Sequence, residues 1–188
     1  GCTGMTRDRI RRMVLCAMFA ALIAAGAFLR IPTPFVPITL QYLFTMLAGL
    51  LLGGKDGAAA VCLYVVLGLL GLPVFTAGGG PSYVFHPTFG YLIGFALGTF
   101  VTGTLAHRPG GPHTGRLIAA SLAGLAIVYL CGTVYYALIM GLYLGTPMGL
   151  WQLFFYCVAM TAPGDILLSI LGAVLCRRLI PILQRERT

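Results

Sequence analysis

Asp165 carries more potential chemistry than any other residue in this chain. The sequence has four acidic residues in 188. Asp8, Asp56 and Glu186 lie beside basic residues at the ends of apolar runs, whereas Asp165 follows Thr161-Ala162-Pro163-Gly164 between two apolar stretches. An ionisable group at membrane depth is costly and marks a functional site by default. The competing reading is a first-turn helix acid held by free backbone N–H groups. A lone carboxylate has no partner for acid–base work, but it accepts hydrogen bonds from ligand N–H or O–H groups. Arg30, well apart from the other cations, either snorkels to headgroups or attracts an anionic solute.

Other chemistries have less support. The six cysteines (Cys2, Cys16, Cys62, Cys131, Cys157, Cys176) show no C-x-x-C and no His at ligand spacing, so they read as small hydrophobes rather than metal ligands. His86 opens His86-Pro87-Thr88 with no second ligand spaced near it, as an ordinary loop residue would. Gly49 to Lys55 spells G-x-x-x-x-G-K, but Asp56 stands where a phosphate-binding loop needs Ser or Thr, which argues against ATP hydrolysis. No metal or cofactor is implied. A lipid-modifying membrane enzyme would need several intramembrane acids or a His and acid cluster, and this chain offers one acid. Tyr83, Phe85, Phe89, Tyr91, Tyr129, Tyr135 and Tyr136 suit interface anchors, and some of them suit the wall of a pocket for a ring-shaped ligand.

The elements that must position these groups are apolar helices. The chain is 59% hydrophobic and 9% charged, with a mean hydropathy of +0.97. Soluble domains carry about 25% charged residues, so the solvent for most of this chain is lipid. The first helix is expected over Ile10 to Leu29, and the Pro-rich stretch Ile31 to Pro37 ends it. The next three are expected over Thr39 to Leu52, Ala58 to Leu72 and Thr88 to Leu105, with a loop rich in Gly and aromatics at Phe75 to His86. The fifth is expected over Leu117 to Leu144. Met148 to Met160 is short for a span and suits an interfacial or re-entrant segment. A break at Thr161 to Asp165 then opens a sixth helix reaching Leu179, and it is preferred to one long helix kinked at Pro163.

The net charge of +8 sits beside the apolar runs, which is the positive-inside signal and not a nucleic-acid surface. With six spans and the N-terminus in the cytoplasm, every Lys and Arg except Arg30 lies inside. The expectation is an all-α integral membrane protein of six transmembrane helices with both termini cytoplasmic. Residues 10–183 form its single domain, between a cytoplasmic segment 1–9 and a tail 184–188. The second and third helices are short, so the outer loops fold down over a ligand pocket. Ala17, Ala21 and Ala25 form a small-residue ridge on the first helix, for internal packing or for a partner, and Gly90, Gly94 and Gly98 form another on the fourth, for internal packing.

Four segments in order, Pro37-Ile38-Thr39-Leu40-Gln41, Gly71-Leu72-Pro73-Val74-Phe75, Pro87 to Phe95 and Pro163-Gly164-Asp165, resemble the BioY family. These are the biotin-binding S components of energy-coupling-factor transporters, and the resemblance spans roughly Ala17 to Leu179. It implies a subunit of the bacterial cell membrane that takes biotin from outside, without catalysis of its own. A transmembrane coupling subunit and two ATPase subunits would then drive uptake. It assigns the ureido ring of biotin to Asp165 and the coupling subunit to Ala17, Ala21 and Ala25. Thr39, Gln41, Tyr83 and Tyr91 become pocket candidates, with Gly78 and Gly79 in a flexible lid. Arg30 and the dipole of the sixth helix compete for the biotin carboxylate. Many members carry Lys where this chain has Leu168, and a hydroxyl from Tyr129, Tyr136 or Ser169 is the substitute expected for it. An S component for thiamine or riboflavin is the alternative of the same class.

Overall fold

The computed structural model describes residues 2–31, 38–110, 113–147 and 149–185. Helix α1 (Cys2–Phe28) begins eight residues before the apolar run and leads into strand β1 (Arg30–Ile31). Strand β2 (Ile38–Thr39) pairs antiparallel with it, Arg30 opposite Thr39. The prolines between the strands, Pro32, Pro34 and Pro37, lie outside the described residues. Helices α2 (Gln41–Leu52) and α3 (Gly54–Leu69) meet at a single residue. Gly53 makes so tight a joint because its φ of 92° is open to glycine and strained for residues with a Cβ. Helix α4 (Phe89–Ala106) and helix α5 (Thr114–Leu138) follow, and α5 runs on through a π-helical turn, Ile139–Tyr143.

The expected break near Thr161 is present but narrow. Helix α6 (Leu150–Phe154), a second π-helical turn (Phe155–Ala159) and helix α7 (Ala162–Arg185) are interrupted at Met160 and Thr161 alone. The apolar helical stretch Leu150–Ile182 is therefore 33 residues long. Pro163 does not force a wider gap because it falls in the first turn of α7, where a missing N–H costs no helical bond. The same helix continues past the expected end at Leu179 and through Pro181.

Among the described residues, four helical stretches are long and apolar enough to cross a membrane: Thr6–Phe28, Phe89–Ala106, Thr114–Tyr143 and Leu150–Ile182. Their outward faces carry Met13, Leu97, Leu130, Leu142, Leu150 and other large exposed hydrophobics, as a lipid-solvated surface requires. The interior is built by close approach of small residues. The ridge Gly90, Gly94 and Gly98 packs inside the protein: a Cβ on Gly94 would lie 2.9 Å from Val128 Cα, and one on Gly98 2.7 Å from the Gly124 carbonyl, both on α5. At Gly103 a Cβ would lie 2.3 Å from Gly54 N and 2.5 Å from Gly53 C, which is backbone that cannot rotate away. Gly103→Ala is therefore expected to push α3 off α4 and to lower stability by about 1–3 kcal/mol, read as a fall in thermal midpoint in detergent.

The segment joining α3 to α4 folds back onto the bundle. Phe75 is 1% exposed, with Tyr64 edge-on at 5.5 Å and Tyr83 at 4.5 Å between ring centroids. The Tyr64 hydroxyl donates to the Val74 carbonyl at 2.8 Å, and Gly80 N–H donates to Gly68 O at 2.7 Å. A 3₁₀ turn, Pro81–Phe85, then delivers Tyr83 inward.

Candidate functional site

A cavity with an empty volume of about 610 Å³, its open mouth included, lies where these elements converge. Thr39, Gln41 and Tyr42 come from β2 and the first turn of α2, and Thr76, Tyr83 and Thr88 from the α3–α4 segment. Helix α4 adds Tyr91, Leu92 and Phe95, α5 adds Val128 and Tyr129, and the start of α7 adds Thr161 and Asp165. The wall is thus mixed, with flat aromatic faces, aliphatic groups and a few fixed polar atoms, as ligand pockets usually are.

Asp165 sits half-buried in that wall. Its backbone N–H donates to Thr161 O at 3.0 Å, which closes the first turn of α7. The carboxylate is held from α5 instead: the Tyr129 hydroxyl donates to Oδ2 at 2.6 Å. Thr161 Oγ1 donates in turn to the Tyr129 hydroxyl at 3.3 Å. A carboxylate offers about four lone-pair sites, so one tyrosine leaves it most of its capacity for ligand donors. Below it, the Ser169 hydroxyl donates to Asp165 O at 2.8 Å and lies 2.8 Å from the Tyr42 hydroxyl. Tyr42 also reaches Ser121 O at 3.0 Å. Helices α2, α5 and α7 are therefore pinned together around the acid. Tyr91 pins a fourth element by donating to Cys157 O at 2.7 Å.

The other side of the cavity is a chain of hydroxyls. Tyr83 OH lies 3.2 Å from Thr76 Oγ1 and 3.4 Å from Thr88 Oγ1. Thr88 Oγ1 lies 2.7 Å from His86 Nδ1, which also accepts from Thr88 N–H at 3.2 Å. The His86 ring stacks on Tyr83 at 4.8 Å. Burial pushes the imidazole pKa below its usual value, so His86 is neutral at physiological pH and offers an anion no standing charge.

Of the residues singled out from sequence, Thr39, Gln41, Tyr83, Tyr91, Tyr129 and Asp165 meet on this wall. Others stand elsewhere. Tyr136 is buried, but it lies seven residues beyond Tyr129 on α5, on the same face and about 10 Å further along at 1.5 Å per residue. Gly78 and Gly79 shape the turn behind Phe75 and do not line the cavity; Gly78 has a φ of 123° and bonds Phe75 on both sides. Arg30 is exposed on β1, opposite the wall residue Thr39, and is not itself part of the wall. Ser169 fastens α7 from behind the wall. Ala17, Ala21 and Ala25 are all exposed on α1, while Ala20, Ile23 and Ala27 face the core. Tyr42 and the threonines Thr76, Thr88 and Thr161 were not foreseen. Tyr42 adjoins Gln41 in a segment already suspected, whereas the threonines carry no pattern of their own.

A multi-pass helical membrane protein with a small, polar-spotted cavity among its helices has the make-up of a small-molecule site. Comparison with known proteins gives the family. The sequence profile of the BioY family matches residues 4–185, and the chain belongs to that family. It is 42% identical over 175 residues to a probable biotin transporter BioY of Lysinibacillus sphaericus, covering 93% of this chain and 89% of that one. A biotin transporter BioY of Thermotoga maritima is 44% identical over 124 residues, or 65% of this chain and 72% of that one. The solved structure of an S-component for biotin from an ECF-type ABC transporter superposes with a TM-score of 0.76 at 30% identity, covering 92% of each chain.

Proposed function

We propose that this protein is the substrate-capturing subunit of an energy-coupling-factor transporter, binding biotin at the outer face of the bacterial plasma membrane and catalysing nothing itself. The observation that carries this reading is Asp165: a carboxylate on a cavity wall, held by one tyrosine hydroxyl and otherwise open to donors. The ureido ring of biotin presents two N–H groups that a carboxylate accepts. Relatives in the same family are named as biotin transporters. The mixed aromatic and aliphatic wall suits the fused rings and the valeryl chain.

Six spans with both termini in the cytoplasm is the topology that best suits the charges. Helices α2 and α3, 12 and 16 residues long, join the four longer stretches, and strand β2 and the α3–α4 segment, which both line the cavity, then lie on its outer side. The exposed ridge Ala17, Ala21 and Ala25 is the docking face for the transmembrane coupling subunit, to which two ATPase subunits attach. The reading is tested by titrating the purified chain in detergent with biotin, in competition with thiamine and riboflavin. Saturable biotin binding that neither competitor displaces is expected; displacement by either would reassign the vitamin.

A further inference from the structure

Among the described residues, two buried side-chain polar atoms lack a hydrogen-bond partner, Gln41 Nε2 and Thr133 Oγ1. Of these two residues, Gln41 belongs to the cavity wall. It is 2% exposed, and a buried amide N–H without an acceptor is rare and costly in a native protein. Its polar neighbour is the Tyr64 hydroxyl, whose oxygen lies near the amide but closes no hydrogen bond with Nε2; the hydroxyl proton goes to Val74 O at 2.8 Å.

Apart from the Thr39 hydroxyl, which accepts from Gln41 N–H at 3.4 Å, the rest of the wall has little donor capacity to give. Tyr129 donates to Asp165 Oδ2, Tyr91 to Cys157 O, and Tyr42 is shared between Ser121 O and Ser169 Oγ. Thr76, Tyr83 and Thr88 bond one another. A cyclic urea needs more than acceptors: it has two N–H donors and a carbonyl oxygen that also loses water on entering the cavity. Leu168 has no polar atom to meet that oxygen. Gln41 and Asp165 line the same cavity, the amide beside Tyr64 of α3 and the carboxylate beside Tyr129 of α5, so a donor and an acceptor border one space. A neutral amide also suits a neutral carbonyl better than a carboxylate, whose buried charge would want a cation.

Resting on the biotin reading above, we propose that Gln41 Nε2 donates to the ring carbonyl oxygen of the ligand and sets specificity for a urea over a guanidine. The test compares wild type and Gln41→Met, similar in length but without polar atoms, by calorimetry in detergent with three probes. These are biotin, biotin methyl ester, and 2-iminobiotin, in which nitrogen replaces the ring oxygen. Gln41→Met is expected to weaken biotin and the methyl ester by about tenfold or more and to leave 2-iminobiotin nearly unaffected. The thermal midpoint of the unliganded protein should not fall, because the variant removes an unpaired donor; a purely structural glutamine would lower it.

Equal weakening of all three probes, or no effect on the methyl ester, overturns the assignment. If wild type binds biotin and Gln41→Met binds it equally well, the glutamine is idle while the biotin reading stands. If wild type does not bind biotin, both fail. Should Gln41→Met not fold, Gln41→Glu keeps the side chain's shape and must shift preference from biotin towards 2-iminobiotin, and an unchanged preference again overturns the proposal.

Discussion

Asp165→Ala is expected to lower biotin affinity at least about tenfold, since each hydrogen bond to a charged group contributes about 1.5–3 kcal/mol and 1.4 kcal/mol is a factor of ten. The folded protein should survive the change. The fold holds Asp165 through its backbone, by the Thr161 carbonyl and the Ser169 hydroxyl, and both contacts remain in alanine. What is lost from the side chain is the bond from Tyr129, whose hydroxyl keeps Thr161 Oγ1 as a neighbour at 3.3 Å. Calorimetry in detergent reads the affinity, and a thermal melt of the same sample reads the fold. Near-wild-type binding in a well-folded variant would remove Asp165 from the site. Asp165→Asn refines the result, because an amide keeps one acceptor oxygen and adds donors that oppose the ring N–H groups.

The second large effect separates capture from uptake. Ala21→Trp is expected to abolish biotin uptake in cells carrying the complete transporter while leaving binding by the isolated chain unchanged. Ala21 is exposed in the middle of the ridge, one turn from Ala17 and one from Ala25, and helix–helix association in lipid depends on small residues that let backbones approach. An indole there holds a partner helix off. It touches no cavity residue, since the wall draws nothing from α1. Uptake by this variant at the wild-type rate would move the docking face elsewhere.

The long apolar elements were legible because lipid imposes a composition on whatever faces it, and α2 and α4 begin and end within about two residues of expectation, a normal scatter. Charge does not mark a helix end, which is why α1 extends back through Arg7, Arg9 and Arg12. The break before α7 was legible from Pro163 and Gly164, but its narrowness, two residues within the apolar stretch Leu150–Ile182, was not. The site was legible where chemistry is rare: one acid in an apolar stretch identifies itself. Tyr136 looked as eligible as Tyr129, and two turns of helix separate them. Arg30 drew attention for its charge, but its place is set by the two-stranded pairing with Thr39. Thr76, Thr88 and Thr161 are common residues whose role arises only where distant segments meet.

That meeting has a thermodynamic consequence. The cavity wall takes pieces of β2, α2, the α3–α4 segment, α4, α5 and the start of α7, so an occupant acts as a non-covalent crosslink among them. Occupancy and conformational rigidity are then one equilibrium. A filled chain is therefore expected to melt higher than an empty one, by an amount that grows with ligand concentration.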